Sequence, residues 1–160
     1  MYREGSYLQA TVTELQKGFY NELDSTGERK IVIMKRIIAP GNLHRPFGYA
    51  HAIQIDKTLY ISGQIPLDME LNSVGKNDIA AQTEQVYGNL QKVLEGAGGT
   101  MRNIVMLNIY CTDLEAFDKH ARGVRKKYFG DYYPATTAVE VKRLYRPEYM
   151  IEVEAVAVLD

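Results

Sequence analysis

Two glutamates near the C-terminus, Glu152 and Glu154, stand two positions apart in a stretch with the pattern of a β-strand, residues 150–158. Residues two apart on a strand point to the same side, so both carboxylates would share one face of a sheet. That face could simply be solvated. Alternatively, apolar neighbours such as Val156 and Val158 would desolvate a carboxylate and suit it to general acid/base chemistry. The two valines favour the second interpretation.

Ser62 and Gly63 are a second candidate, because they end an apolar stretch that is predicted to be the second strand of a hairpin. A glycine at a strand end lets a ligand approach the backbone closely, although a plain exit from the strand is the commoner reason for one. His51 and Cys111 lie on predicted strands among apolar neighbours. We therefore interpret both as parts of the core rather than as catalytic groups.

Composition and charge limit the function classes. The chain has 160 residues, of which 46% are hydrophobic and 24% charged, as expected of one globular domain. Nineteen Lys and Arg against twenty Asp and Glu give a net charge of −1, whereas a nucleic-acid binder usually has a basic excess. We therefore expect no nucleic-acid partner and interpret the basic cluster of the second predicted helix as a solvated face. The cluster comprises Arg122, Arg125, Lys126 and Lys127.

Metal-binding and membrane classes are also disfavoured. The three histidines and one cysteine form no closely spaced set, so we expect no metal site and no histidine pair for RNA cleavage. No apolar run approaches the roughly 20 residues of a membrane span, and the N-terminus lacks the apolar core of a signal peptide. A single cysteine fits a reducing cytoplasm.

The elements that must position these residues follow from the hydrophobic pattern. Residues 1–33 differ from the rest and predict a helix over 7–23, followed by a strand over 30–38. The order from that strand onward is β-β-β-α-β-α-β-β, with the first helix over 78–96 and the second opened by a capping box at Thr112-x-x-Glu115. Two helices and five or six strands predict one sheet with both helices on one face.

The two faces of that sheet differ in their predicted surroundings. One face would pack against the helices, and its residues are Ile151, Val153, Ala155 and Ala157 on the last strand and Val105, Leu107, Ile109 and Cys111 on residues 104–111. The opposite face mixes apolar and acidic residues, which is too apolar for a surface left in water. We therefore expect that face to pack against another subunit.

Several segments together resemble the reactive-intermediate deaminase family (Rid/YjgF, including RidA). The matching segments are residues 45–52, 60–68, 81–98, 111–114, 133–135 and 151–158. The resemblance covers residues 34–160, so it implies a Rid/YjgF-like domain there and an N-terminal extension over 1–33.

The resemblance implies a chorismate-mutase-like α/β (α+β) fold, with one mixed sheet and two helices on one face, in a homotrimer whose sites lie between subunits. It implies hydrolysis of a small imine or enamine metabolite to a carbonyl compound and ammonia without a cofactor. Position by position, Tyr49, Ser62 and Gly63 would line the substrate pocket, and Glu154 would position or activate water as the catalytic group.

The sequence departs from the family at two positions of the implied substrate site. Thr136 stands where the deaminases carry an arginine that clamps the substrate carboxylate, and Ala138 replaces a cysteine. A threonine is neutral and donates one hydrogen bond, so it cannot reproduce a bidentate arginine. Arg45, Arg143 or Arg146 could supply a charge from elsewhere.

Two interpretations are therefore open. One is a divergent imine/enamine deaminase with altered substrate specificity, which the retained pocket residues favour. The other is a non-catalytic trimeric member that binds a metabolite or protects proteins as a chaperone does, which Thr136 and Ala138 favour. Ribonuclease activity, a third class, is disfavoured by the net charge of −1.

Overall fold

The computed structural model describes residues 21–23, 29–31 and 35–160. The chain divides into two units, Met1–Met34 and Lys35–Asp160. In the first, β1 (Asn21–Leu23) pairs antiparallel with β2 (Arg29–Ile31). The predicted helix over 7–23 is therefore wrong at its C-terminal end, where the turn-forming sequence that follows allows a hairpin pairing instead. Its remaining residues, and the part of the predicted strand over 32–34, lie outside the described residues.

The second unit contains a six-stranded mixed sheet in the order β3-β4-β5-β8-β6-β7. Its strands are β3 (Lys35–Ile38), β4 (Ala52–Ile55), β5 (Thr58–Gln64), β6 (Ile104–Cys111), β7 (Ala135–Glu140) and β8 (Ile151–Val158). All neighbours are antiparallel except β6 and β7, which run parallel. With α1 (Ile79–Gly96) and α2 (Leu114–Phe129), the predicted order of strands and helices is confirmed.

The two helices begin at aspartate caps. The Asp78 side chain accepts the amide hydrogens of Ala80 and Ala81 at 3.0 Å and starts α1. The capping box predicted at Thr112 is wrong, because Asp113 caps α2 and accepts the Ala116 amide at 2.7 Å. The Thr112 amide donates to the Met150 carbonyl at 3.0 Å, one residue beyond the paired ends of β6 and β8, and the cap of the helix therefore falls on the next residue.

The core lies between the helices and one face of the sheet. All four β8 residues predicted to face the helices are buried. On β6, Val105 is wrongly predicted to share this face, since its side chain is 41% exposed. A bulge shifts the register between Ile104 and Met106, and Ile104 takes the buried position instead.

The opposite face of the sheet, hereafter the outer face, carries an apolar row that crosses all six strands. Strand registers align one residue from each strand in this row: Ile37, Ile53, Tyr60, Val156, Met106 and Ala135. Ile37, Tyr60 and Met106 are among the large exposed hydrophobic side chains of the chain. A contiguous exposed apolar surface of this kind is typical of an interface.

Candidate functional site

Glu154 lies on the outer face of β8, as predicted, and two side chains of β6 hold it. Its Oε1 accepts a hydrogen bond from Asn108 Nδ2 at 2.9 Å and another from the Tyr110 hydroxyl at 3.0 Å. The hydrogen bond to Glu154 raises the pKa of Tyr110, so the phenol stays protonated and acts as a donor. The structure thus fixes one carboxylate oxygen and leaves the other oxygen free for a ligand.

Asn108 and Tyr110 were not among the site residues that the sequence suggested. The alternation of β6 places both on the same face, but their role depends on β6 lying beside β8, where Asn108 pairs with Glu154 and Tyr110 with Glu152. Non-local strand pairing of this kind leaves no signal in the spacing of residues along the chain.

Ser62 and Gly63 form a bulge in β5 directly beside Glu154. The register between β5 and β8 shifts from Ile61–Ala155 to Gln64–Val153, so both residues stand opposite Glu154 alone. The Ser62 hydroxyl donates its hydrogen to the Ala50 carbonyl at 2.7 Å. It can therefore only accept a hydrogen bond from a ligand, through its lone pairs.

Glu152 occupies the space that Gly63 leaves open. A Cβ atom built on Gly63 would collide with the Glu152 carboxylate. Burial, and then the charge of Glu154, raise the pKa of Glu152, which favours its protonated form. The two glutamates therefore have different surroundings, a condition under which neighbouring carboxyl groups take different acid/base roles.

Tyr49 precedes Ala50, whose carbonyl accepts the Ser62 hydroxyl hydrogen, and burial and then the charge of Glu152 raise the pKa of the tyrosine. Its hydroxyl oxygen lies 2.9 Å from His44 Nε2, and its side chain is 42% exposed. The Ser62 amide donates to the His51 carbonyl at 3.0 Å, which attaches the segment before β4 to the bulge. The structure thus brings Tyr49, Ser62, Gly63 and Glu154 into one region, with Glu152 among them.

His51 is a core residue, as predicted, and it contacts a second buried histidine, His44. The rings of His44 and His51 meet edge to face with their centres 4.8 Å apart, and His51 Nε2 donates to the His44 carbonyl at 2.8 Å. His44 lies in a loop without periodicity, so no sequence signal indicated this contact. Both side chains are buried, which places them out of reach of an RNA strand.

Thr136 and Ala138 lie apart from Glu154 within one subunit. They pair with Leu107 and Ile109 of β6, whose side chains face the helices, so they are on the helix side of the sheet. Thr136 donates its hydroxyl to the Pro134 carbonyl at 2.8 Å. Their strand β7 is an edge of the sheet, so its free side is open to another chain.

A depression of about 290 Å³ opens on the outer face above Glu154. Its polar groups come from Ser62, Asn108 and Glu154, and the apolar wall includes Tyr60 and Met106. A carboxylate held in a half-apolar recess can bind a small polar molecule and accept a proton from water.

The three arginines considered as substitutes for the family arginine lie in loops. Arg45 and Arg143 are exposed, whereas Arg146 is half-buried. The guanidinium carbon of Arg146 lies 5.7 Å from the centre of the Tyr149 ring. Of the three, Arg146 is therefore the one whose position is restrained by an aromatic contact.

Within residues 21–23, 29–31 and 35–160, no group of three His, Cys, Asp or Glu side chains is arranged to hold a metal ion. The helices of the described part of the chain include none that is long and apolar enough to cross a bilayer.

Comparison with known proteins finds one family model and relatives that match most of this chain. A family model described as endoribonuclease L-PSP matches residues 42–159. A RutC family protein of Pyrococcus horikoshii is 39% identical over 125 residues, which are 78% of this chain and 98% of the relative. The human 2-iminobutanoate/2-iminopropanoate deaminase is 30% identical over 127 residues, which are 79% of this chain and 91% of the relative.

Solved structures show the same fold. YyfA of Yersinia pestis, from the conserved Rid protein family, matches with a TM-score of 0.73 at 34% identity, covering 79% of this chain and all of its own, 100%. RidA from an Antarctic Psychrobacter matches with a TM-score of 0.71 at 28% identity, covering 78% of this chain and 99% of its own. Two helices on one mixed sheet are therefore shared with both proteins.

Proposed function

Because this chain belongs to the Rid/YjgF family, whose model is the one described as endoribonuclease L-PSP, we propose that it hydrolyses a small imine or enamine. The products are a carbonyl compound and ammonia. The observation that carries the proposal is Glu154, held by Asn108 and Tyr110 in an outer-face depression beside the Ser62–Gly63 bulge.

The chemistry requires one base that can return its proton. Glu154 takes a proton from water while the water oxygen bonds to the imine carbon and the C=N electron pair moves to nitrogen. Glu154 returns that proton to nitrogen, and nitrogen then takes the remaining hydroxyl proton as the C–N bond breaks, so that ammonia leaves and the oxygen becomes a carbonyl. An enamine enters the same sequence after it gains a proton at carbon. Water, imine, ammonia and carbonyl balance without a cofactor.

A homotrimer completes the site in this proposal. The apolar row of the outer face would be covered by neighbouring subunits, and β7 of one subunit would bring Thr136 and Ala138 to the Glu154 region of the next. Support comes from the exposed row itself and from the open edge of β7. A single subunit leaves the depression beside Glu154 open, which suits a site closed by a partner.

Thr136 defines the proposed substrate preference. Without an arginine at this position, the site lacks a bidentate partner for a substrate carboxylate. Hydrogen bonds to charged groups contribute about 1.5–3 kcal/mol each, so we expect imines with a carboxylate to be used less well than imines without one. The cytoplasm is the proposed location, because the sequence contains a single cysteine.

RNA cleavage is not the function that we propose, despite the description of the family model. The paired histidines are buried, and the net charge of −1 provides little attraction to a phosphate backbone. The alternative is a trimer that binds a metabolite without turning it over, and the same assay distinguishes the two.

The test is imine clearance measured with two substrates. An amino-acid oxidase would generate 2-iminopropanoate in situ, and an amine oxidase would generate an imine that lacks the carboxylate. We expect wild type to accelerate loss of the second imine more than the first, and Thr136→Arg to improve clearance of the first. Binding of the imines without faster clearance of either one would support the alternative.

A further inference from the structure

His44 is a buried imidazole in contact with an exposed residue of the proposed site. Its side chain is 3% exposed, yet its Nε2 lies 2.9 Å from the Tyr49 hydroxyl oxygen. His51 restrains His44 through its hydrogen bond to the His44 carbonyl and through the edge-to-face contact between the two rings. The hydroxyl of Tyr49 is therefore held by a group that cannot itself reach a substrate.

The surroundings of the other ring nitrogen, Nδ1, indicate which partner donates in the hydrogen bond between His44 Nε2 and the Tyr49 hydroxyl. His44 Nδ1 is buried and has no hydrogen-bond partner among the described residues. If Nδ1 carried the hydrogen, an N–H donor would be buried without an acceptor, which folded proteins rarely tolerate. If Nε2 carries it, only a lone pair goes unused. The second tautomer is favoured, and in it Nε2–H donates to the Tyr49 oxygen.

His44 is also neutral in this arrangement. Burial, and then the neighbouring His51, lower the pKa of His44. A neutral Nε2–H tautomer can donate to Tyr49 but cannot accept from it, so the phenol hydrogen is left free to point elsewhere. Burial and the charge of Glu152 raise the pKa of Tyr49, which keeps that hydrogen on the oxygen.

We infer that His44 is a positioning residue that makes Tyr49 a hydrogen-bond donor to the substrate nitrogen. The inference rests on the proposed function, because the imine nitrogen is the acceptor that every substrate of this class carries. Tyr49 is exposed enough to meet a ligand, and its neighbour Ala50 is hydrogen-bonded to Ser62 in the bulge that stands opposite Glu154. Donation to nitrogen would draw electrons from the imine carbon and so assist attack by water.

A set of four proteins tests the relation between the two residues: wild type, His44→Leu, Tyr49→Phe and the double variant. We expect His44→Leu to lower kcat roughly tenfold, the upper range for one lost hydrogen bond. The double variant should be no slower than Tyr49→Phe alone, since His44 acts through that hydroxyl. Effects that multiply in the double variant would overturn the inference. His44→Gln, whose amide can donate from a similar position, should restore most of the activity lost in His44→Leu.

The tautomer is measured without turnover. The chain has three histidines, so long-range ¹H–¹⁵N correlations of ¹⁵N-histidine-labelled protein can be assigned with His51→Gln and His120→Gln. We expect His44 to show a protonated Nε2 and an unprotonated Nδ1, and Tyr49→Phe to shift its Nε2 signal. A protonated Nδ1 would overturn the inference even if imines are hydrolysed. Absence of imine clearance in wild type would instead contradict the proposed function. The NMR spectra would still decide which ring nitrogen of His44 carries the hydrogen.

Discussion

The carboxylate of Glu152 fills the space in which any residue other than glycine at position 63 would carry its Cβ atom. The bulge that contains Gly63 also stands opposite Glu154. One small residue therefore makes room for the Glu152 carboxylate and lies beside Glu154. This dependence makes Gly63 the position at which a single added methyl group tests the geometry of the site.

The first prediction concerns Gly63→Ala. The added methyl group should force the Glu152 side chain to rotate away, and because it meets the flexible end of that side chain the loss of stability should stay at about 1 kcal/mol, the lower end for extra atoms in a packed site. Imine clearance should fall, because Glu152 shares the outer face of β8 with Glu154 and its displacement changes the surroundings of that base. Thermal unfolding and the clearance assay measure both effects. Gly41→Ala is the control, since its Cβ atom would meet nothing within 4 Å. Equal behaviour of the two variants would contradict this packing.

The second prediction is a pH dependence of stability that comes from Glu152. Its pKa in the folded protein is raised above the ordinary value of 4.5, so the folded protein keeps this proton after the unfolded chain has released it. Stability should therefore fall as the pH rises from about 4.5 through the raised pKa. Glu152→Gln removes this fall, and its melting temperature should exceed that of wild type at pH 7 but not at pH 4.

Glu70→Gln, an exposed change in the loop between β5 and α1, is the control for that measurement. It should follow wild type at both pH values. If Glu152→Gln also follows wild type at both, the pKa of Glu152 is not raised in the folded protein.

The third prediction concerns the apolar row of the outer face. Sedimentation should give a mass near three times 18.1 kDa. Met106→Lys places a charge in the middle of the row and should shift the protein towards monomer, because a buried lysine without a partner is strongly disfavoured. Met69→Lys is the matched control, as Met69 is exposed to 50% and Met106 to 41% but only Met106 lies in the row. A monomeric wild type would remove the basis for a shared site.

Period-two alternation is enough to predict the inward residues of β8 and the common face of Glu152 and Glu154. It could not place Asn108 and Tyr110 beside Glu154, because β6 and β8 are far apart in sequence and adjacent only in the folded sheet. The prediction that Val105 faces the helices failed for a related reason. The bulge inserts one extra residue, which reverses the alternation after it, and a bulge has no signature in the sequence. His44 lies in a loop, where contacts and not periodicity decide which residues are buried.

The fourth prediction concerns the division of the chain. All six strands of the larger sheet and both helices lie within residues 35–160. A chain that begins at Met34 should therefore keep the far-ultraviolet circular dichroism of the domain, its cooperative unfolding and the mass of the assembly. Aggregation of the shortened chain would show that residues 1–33 cover part of its apolar surface.

Glu154→Gln tests the central claim most directly, because Gln keeps the size of the side chain but loses the base. The measurement is imine clearance by wild type, Glu154→Gln and the control Glu115→Gln, with the mass of each protein determined in parallel. We predict that Glu154→Gln loses clearance by orders of magnitude, within the 10²–10⁴-fold range typical of general acid–base catalysis, while its mass matches wild type. Unchanged clearance by Glu154→Gln would contradict its role as the catalytic base.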